Sequence, residues 1–261
     1  MLGKQEIVEQ LKKLGVYQGM ILEVHASLHS FGHVVGGAQS VVDALIEAVG
    51  YNGTLLMPLQ SYENTEPSTW KSFKGDLRDI CKIRAQIPPY NKKDFEAREM
   101  GAICDNLRRR DGVVISEHPN MGYLAWGKYA KLLCNHQSLH FALSQESPAA
   151  RLNELKGSIL MMGVGFEQAT SMHLAEYYSD VRPVCLNGAM REVSGEKQFE
   201  SYLELDLDAK DFISVAEVLK AKGYVQSIMI GTCLCQMVMS HKAIEYTSKY
   251  LKENSILQYY Q

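Results

Sequence analysis

Residues 21–58 read ILEVHASLHSFGHVVGGAQSVVDALIEAVGYNGTLLMP, and this stretch decides the fold. Ile21-Leu22-Glu23-Val24 is short and mostly apolar, as a strand is. His25 to Gly37 is rich in Ser, His and Gly and reads as a loop. Ala38, Val41, Val42, Leu45, Ile46 and Val49 then recur at helical spacing, and Gly50 stops the pattern. Tyr51-Asn52-Gly53 makes a turn into a second apolar strand, Thr54 to Met57, which Pro58 is expected to break. Strand, loop, helix and strand together form a βαβ unit.

Upstream, Ile7, Val8, Leu11 and Leu14 mark a helix over residues 4–14 closed by Gly15. Downstream, residues 59–97 show little periodicity and read as a long functional loop. The spacing then predicts helices over 98–110, 125–134, 170–178, 211–220 and 236–251, and strands over 113–115, 158–164, 199–205 and 225–230. His118-Pro119-Asn120 is a turn, and Ser147-Pro148 opens a helix with Ser at the N-cap and Pro at the first position. No repeat or Gly/Ser/Pro-rich linker divides the chain, so residues 1–261 are expected to form one domain, a three-layer α/β protein.

Composition narrows the function. Lys+Arg is 27 against Asp+Glu 30, a net charge of −3, which disfavours nucleic-acid binding. The N-terminal segment has no apolar h-region, and no long uncharged apolar run suggests a membrane span, so a cytoplasmic protein is expected. The six cysteines are scattered without a CxxC pair and read as free thiols in a reducing compartment.

Three constellations can carry chemistry. In the loop of residues 24–38, Ser27 and Ser30 precede Gly36-Gly37 at a helix start, where outward N–H groups favour an anion. The plain alternative is a tight turn that needs small residues. His25, His29 and His33 of the same loop recur every four residues, which raises the alternative of a His-rich metallohydrolase. Gly32 and Gly36 argue against the helix such a ligand set needs. In Thr170-Ser-Met-His173-Leu-Ala-Glu176, helical spacing lets Glu176 reach one nitrogen of His173 and leaves the other to act as a base. Thr170, one turn earlier, can donate to a developing oxyanion. A His–Glu pair without catalytic meaning remains the competing reading. Finally, His118 can line a site at a strand end, and Glu63, Glu66, Asp76 and Asp79 can attract a cation.

In order along the chain, these pieces resemble the aminoglycoside 3-N-acetyltransferase (antibiotic N-acetyltransferase) family. The matching blocks lie at residues 24–64, 98–130, 144–152 and 159–180, and the C-terminal third is only loosely similar. The resemblance implies an α/β/α architecture around a mixed central sheet and acetyl transfer from acetyl-CoA to the 3-amino group of an aminoglycoside. It implies His173 as base, Glu176 as its orienting partner and Thr170 as an oxyanion or cofactor contact. Ser27, Ser30, Gly36 and Gly37 would lie against CoA, with Glu63 and His118 toward the acceptor. No metal is implied, and a homodimer stays open. Where the family has Arg-Ser before the His-Pro turn, this chain has Ile115-Ser116-Glu117, which bears on CoA affinity, and the stretch Gly231 to Cys235 departs from the family pattern, so an acceptor amine other than an aminoglycoside is the runner-up.

Overall fold

The βαβ unit is the middle of the sheet. A computed structural model describes residues 1–70, 73–95, 97 and 100–254. Helix α1 (Lys4–Leu14) ends at Gly15, whose left-handed backbone lets its N–H reach back to the carbonyls of Leu11 and Lys12. Strand β1 (Ile21–Ala26), helix α2 (Gly37–Val49) and strand β2 (Thr54–Gln60) follow. The chain continues through α3 (Ile80–Gln86), α4 (Gly101–Arg108), β3 (Val114–Ile115), β4 (Met121–Gly127), α5 (Ala130–Cys134), α6 (Pro148–Glu154) and β5 (Ser158–Met162). It closes with α7 (Leu174–Ser179), β6 (Val184–Val193), β7 (Glu196–Leu205), α8 (Asp211–Ala221), β8 (Gln226–Ile230), β9 (Cys233–Met239) and α9 (Ser240–Asn254).

Seven strands form a mixed sheet in the order β3-β4-β2-β1-β5-β9-β8, and β6-β7 form a separate hairpin. β1 lies parallel to both β2 and β5, and the outer pairings are antiparallel. The period of two along each strand divides the core. Leu22, Val24, Leu55, Met57, Leu160 and Met162 pack with α1, α2 and α4 on one face. Ile21, Leu56, Ile159, Met161 and Val238 pack with α5, α6, α8 and α9 on the other. The architecture is three-layer α/β/α, as expected.

Several element boundaries differ from the sequence reading, each for a physical reason. Pro58 does not break β2. Pairing with β1 stops at Leu56, while pairing with β4 runs on through Gln60, so the proline stands past the end of one ladder where a missing N–H is tolerated. Residues 125–127 belong to β4 and not to a helix; the turn at Gly127 has a positive φ, with the Gly53 carbonyl too close for any side chain. Residues 236–239 are the end of β9, whose apolar run joins α9 without a break. The helix expected from residue 98 is observed from Gly101; Arg98 and Glu99 lie outside the described residues, as do residues 255–261 of the expected domain.

Candidate active site

The C-terminal ends of β1 and β5 open into a cleft of about 980 Å³, the position at which open α/β sheets present their sites. Its wall includes His25 and Ala26 from β1, Pro58 and Gln60 from β2, Gly163 and Gly165 after β5, and Thr170 and His173. Glu167 and Asp208 supply carboxylates to the same wall. Two of the residues singled out from sequence as a catalytic group therefore face one cavity, and the third stands directly behind them.

Residues 170–173 form a tight 3-10 turn that runs straight into α7. That continuity puts Glu176 one turn beyond His173, and His173 Nδ1 is hydrogen-bonded to Glu176 Oε2. His173 Nε2 has no hydrogen-bond partner among the described residues. The ring leans on Phe212, with centroids 4.9 Å apart, which fixes its plane. Thr170 is buried at the cleft wall, its hydroxyl 3.5 Å from the Gln168 carbonyl.

Glu176 is fully buried, and both its oxygens are occupied. Oε1 accepts from Arg182 Nε and from the Asp208 N–H, the latter at 3.0 Å. Arg182 is itself held by the Asp208 carbonyl at 2.9 Å and by Asp211 at 3.2 Å. Burial alone would raise the carboxyl pKa. The hydrogen bond and charge of His173, the Asp208 N–H and Arg182 override it and hold Glu176 below the usual carboxylate range. A buried carboxylate kept ionised beside an imidazole stabilises the charge that ring gains on taking a proton. Arg182 was not legible as part of this group: it is six residues from Glu176, beyond α7, and no helical spacing announces it.

The other expected residues are placed elsewhere. His118 lies outside the cleft wall. Its Nδ1 accepts from the N–H groups of Asn120 (3.1 Å) and Met121 (2.9 Å), and Nε2 pairs with the Leu139 carbonyl at 3.1 Å. Burial pushes its pKa down to about 4. In this setting it clamps a turn. Glu63 is half-buried beside Tyr62 but is not part of the cleft wall. The acidic loop is largely self-paired: Glu66 with Arg84, Asp76 with Arg78, Asp79 with Lys82. The acidic residues of the cleft wall, Glu167 on a 3-10 turn and Asp208 paired with Lys210 at 2.6 Å, belong to no motif that the sequence marked out.

Ser27, Ser30, Gly36 and Gly37 do not line the cleft. Ser27 N–H bonds the Met162 carbonyl at 3.0 Å, and Ser30 Oγ donates to the Gly163 carbonyl at 2.9 Å. Gly36 and Gly37 both have positive φ at the start of α2, and no side chain caps that end. His25, His29 and His33 do not converge. His25 is buried in β1, while His29 and His33 are exposed, and among the described residues no three potential ligands stand together as a metal site. The metallohydrolase reading is thereby set aside.

Residues 24–252 match the aminoglycoside 3-N-acetyltransferase family. The chain belongs to that family, and the match extends through the C-terminal third that had looked only loosely similar. The SPbeta prophage-derived aminoglycoside N(3')-acetyltransferase-like protein YokD of Bacillus subtilis is 34% identical, over 96% of this chain and 93% of that protein. The crystal structure of YokD superposes with a TM-score of 0.93 over the same shares of the two chains. Aminoglycoside N(3)-acetyltransferase III from Salmonella sp. is 32% identical, over 78% of this chain and 71% of its own length. A solved structure of AAC-IIIb, which holds CoASH, shares the fold with a TM-score of 0.87 at 22% identity, covering 97% of both chains. Family membership supports an acetyltransferase.

Proposed function

We propose that the chain is a single, cytoplasmic acetyltransferase domain that moves an acetyl group from acetyl-CoA to the 3-amino group of an aminoglycoside. One observation carries the reading: His173, backed by the buried and ionised Glu176, opens onto the cleft together with Thr170. In its neutral form His173 takes the proton of the acceptor amine as the nitrogen attacks the thioester carbonyl. The carbon–nitrogen bond forms, the carbon–sulfur bond breaks, and the thiolate takes the proton from His173 and leaves as free thiol. General-base help of this kind is worth about 10²–10⁴ in rate. Thr170 is placed to donate to the carbonyl oxygen as it gains charge.

The donor fits the β1–α2 side of the cleft. The Gly37 N–H is taken by the Val34 carbonyl at 3.0 Å, but no side chain caps the start of α2, an end that suits a phosphate, and Ser27 and Ser30 lie on the loop before it, with Ser30 bonded to Gly163. The binding of CoASH by AAC-IIIb, a protein of the same fold, supports this choice of donor. On the acceptor side, Glu167 gives the cleft a carboxylate for a substrate with several ammonium groups, and Asp208, paired with Lys210 at 2.6 Å, adds a second at the same wall.

Thiol release from acetyl-CoA, measured over a panel of aminoglycosides with acceptor-free controls, tests the reading. Acceptor-dependent release is expected, and mass spectrometry should find one acetyl group on the 3-amino nitrogen. Stabilisation by acetyl-CoA without release on any aminoglycoside would replace the acceptor with another amine. Neither release nor stabilisation would overturn the donor as well.

A further inference from the structure

β1 carries a charge where its position in the sheet calls for none. It is flanked by parallel strands on both sides and covered on both faces, a setting that ordinarily takes an unbroken apolar run. Residue 23 is nevertheless a glutamate, with 0% of its surface exposed. Burying a carboxylate there is costly unless partners hold it. Its partners are specific. Glu23 Oε2 accepts from the hydroxyl of Ser171, which is also fully buried. Glu23 Oε1 stands 3.3 Å from Nε2 of His25, two residues along on the same face of the strand. The buried Tyr123 hydroxyl faces the same group, and burial together with the Glu23 carboxylate pushes its pKa up.

These partners are not scattered through the core. His25 lines the cleft. Ser171 lies on the turn that carries Thr170 and His173, between the two. A single buried carboxylate thus spans from β1 to the catalytic turn, contacting a cleft-lining imidazole with one oxygen and that turn with the other. The His25 contact is long and not a completed hydrogen bond, of the kind that tightens when a substrate is bound.

We infer that Glu23 is a positioning residue of the cleft, holding His25 and the Thr170–His173 turn in one mutual arrangement through His25 Nε2 and the Ser171 hydroxyl. The inference rests on the acetyl-transfer reading for its kinetic consequence only. Glu23 acts through its two partners, and its loss leaves the surfaces that bind either substrate in place. Glu23→Gln keeps the shape and removes the charge.

The test combines kinetics and spectroscopy on the full chain. Glu23→Gln is expected to lower kcat about tenfold or more while each KM stays within about threefold, the split expected for a contact that matters in the transition state. Its Tm should be unchanged or higher, because a buried charge has been removed. Ser171→Ala should lower kcat in the same direction, and the double variant should lose less than the product of the two. Glu23→Asp should recover part of the rate. A merely structural glutamate would lower Tm and leave kcat alone, which would overturn the inference. If the wild-type chain releases no thiol with any acceptor, the acetyl-transfer reading fails by itself. The imidazole nitrogen resonances of His25 and His173 then decide the inference: both should shift in Glu23→Gln, and a His173 signal unmoved in both Glu23→Gln and Ser171→Ala overturns it.

Discussion

His173 and His118 are both imidazoles fixed by local turns, and they are fixed by opposite kinds of partner. His173 gives one nitrogen to an ionised carboxylate, and its other nitrogen has no hydrogen-bond partner among the described residues. His118 has two backbone N–H groups on Nδ1 and a carbonyl on Nε2. The first arrangement is stabilised when the ring gains a proton, because a negative charge waits beside it. The second requires the neutral ring with its hydrogen on Nε2, since a proton on Nδ1 would displace two donors at once. From the sequence both histidines were candidates for a site, His173 as its base and His118 as a lining group. The partner, more than the loop setting, separates a group that can exchange protons from one that holds a turn.

The comparison breaks first at His173. His173→Ala is expected to lower kcat by about 10³-fold with the circular-dichroism spectrum and Tm kept near wild type; full activity in that variant would remove the base. Next comes the pH dependence of folding. His118 stays unprotonated in the folded chain down to about 4, whereas in the unfolded chain it titrates near pH 6.5. Above pH 6.5 neither state takes the proton and His118 adds no pH dependence. As pH falls from 6.5 toward 4 only the unfolded state binds it, so stability drops, by about 3 kcal/mol over the window. Denaturant titrations of wild type and His118→Gln along this range should differ by that slope, while their kcat values at neutral pH agree. A matched slope would mean that the buried ring is not held neutral. The smallest effect sharpens the pair from the other side. Glu176→Gln keeps the hydrogen-bonding shape but not the charge, and kcat should fall about 10²-fold, less than with loss of the ring itself. An equal fall in both variants would make the carboxylate as indispensable as the imidazole.

Much of the fold could be read because buried helices and strands leave a period. The 3.6-residue spacing of Val41, Val42, Leu45 and Val49 and the two flanking apolar runs are consequences of covering a sheet face. Of the hairpin, the strand expected over 199–205 is β7, whereas β6 left no such trace: Val184 and Leu186 are exposed, so its residues have no single buried face to pattern them. The site divides in the same way. His173 and Glu176 are three residues apart on a turn and a helix, and local spacing brings them together. Arg182, Asp208 and Glu23 reach the same neighbourhood from three other segments, and that convergence exists only once the sheet has closed. Glu23 alone left a mark, a charge inside an otherwise apolar strand, and its meaning depends on Ser171 lying 148 positions away.

The hairpin also borders the cleft in a way that bears on how this chain can change over generations. The loop that contains Tyr62 is tied to β6 through main-chain atoms, Met190 N–H to the Asn64 carbonyl at 2.8 Å and Glu66 N–H to the Gly188 carbonyl at 2.9 Å, and the segment after α3 joins the same strand through Tyr90 N–H to the Met190 carbonyl at 2.8 Å. Those bonds do not depend on which side chains the loop carries. Substitutions at the rim can therefore accumulate without loosening the frame that holds the rim in place. On the acetyl-transfer reading, acceptor preference is then free to wander under selection by whichever amines a lineage meets, while the pair of His173 and Glu176 behind it stays anchored by the buried carboxylate.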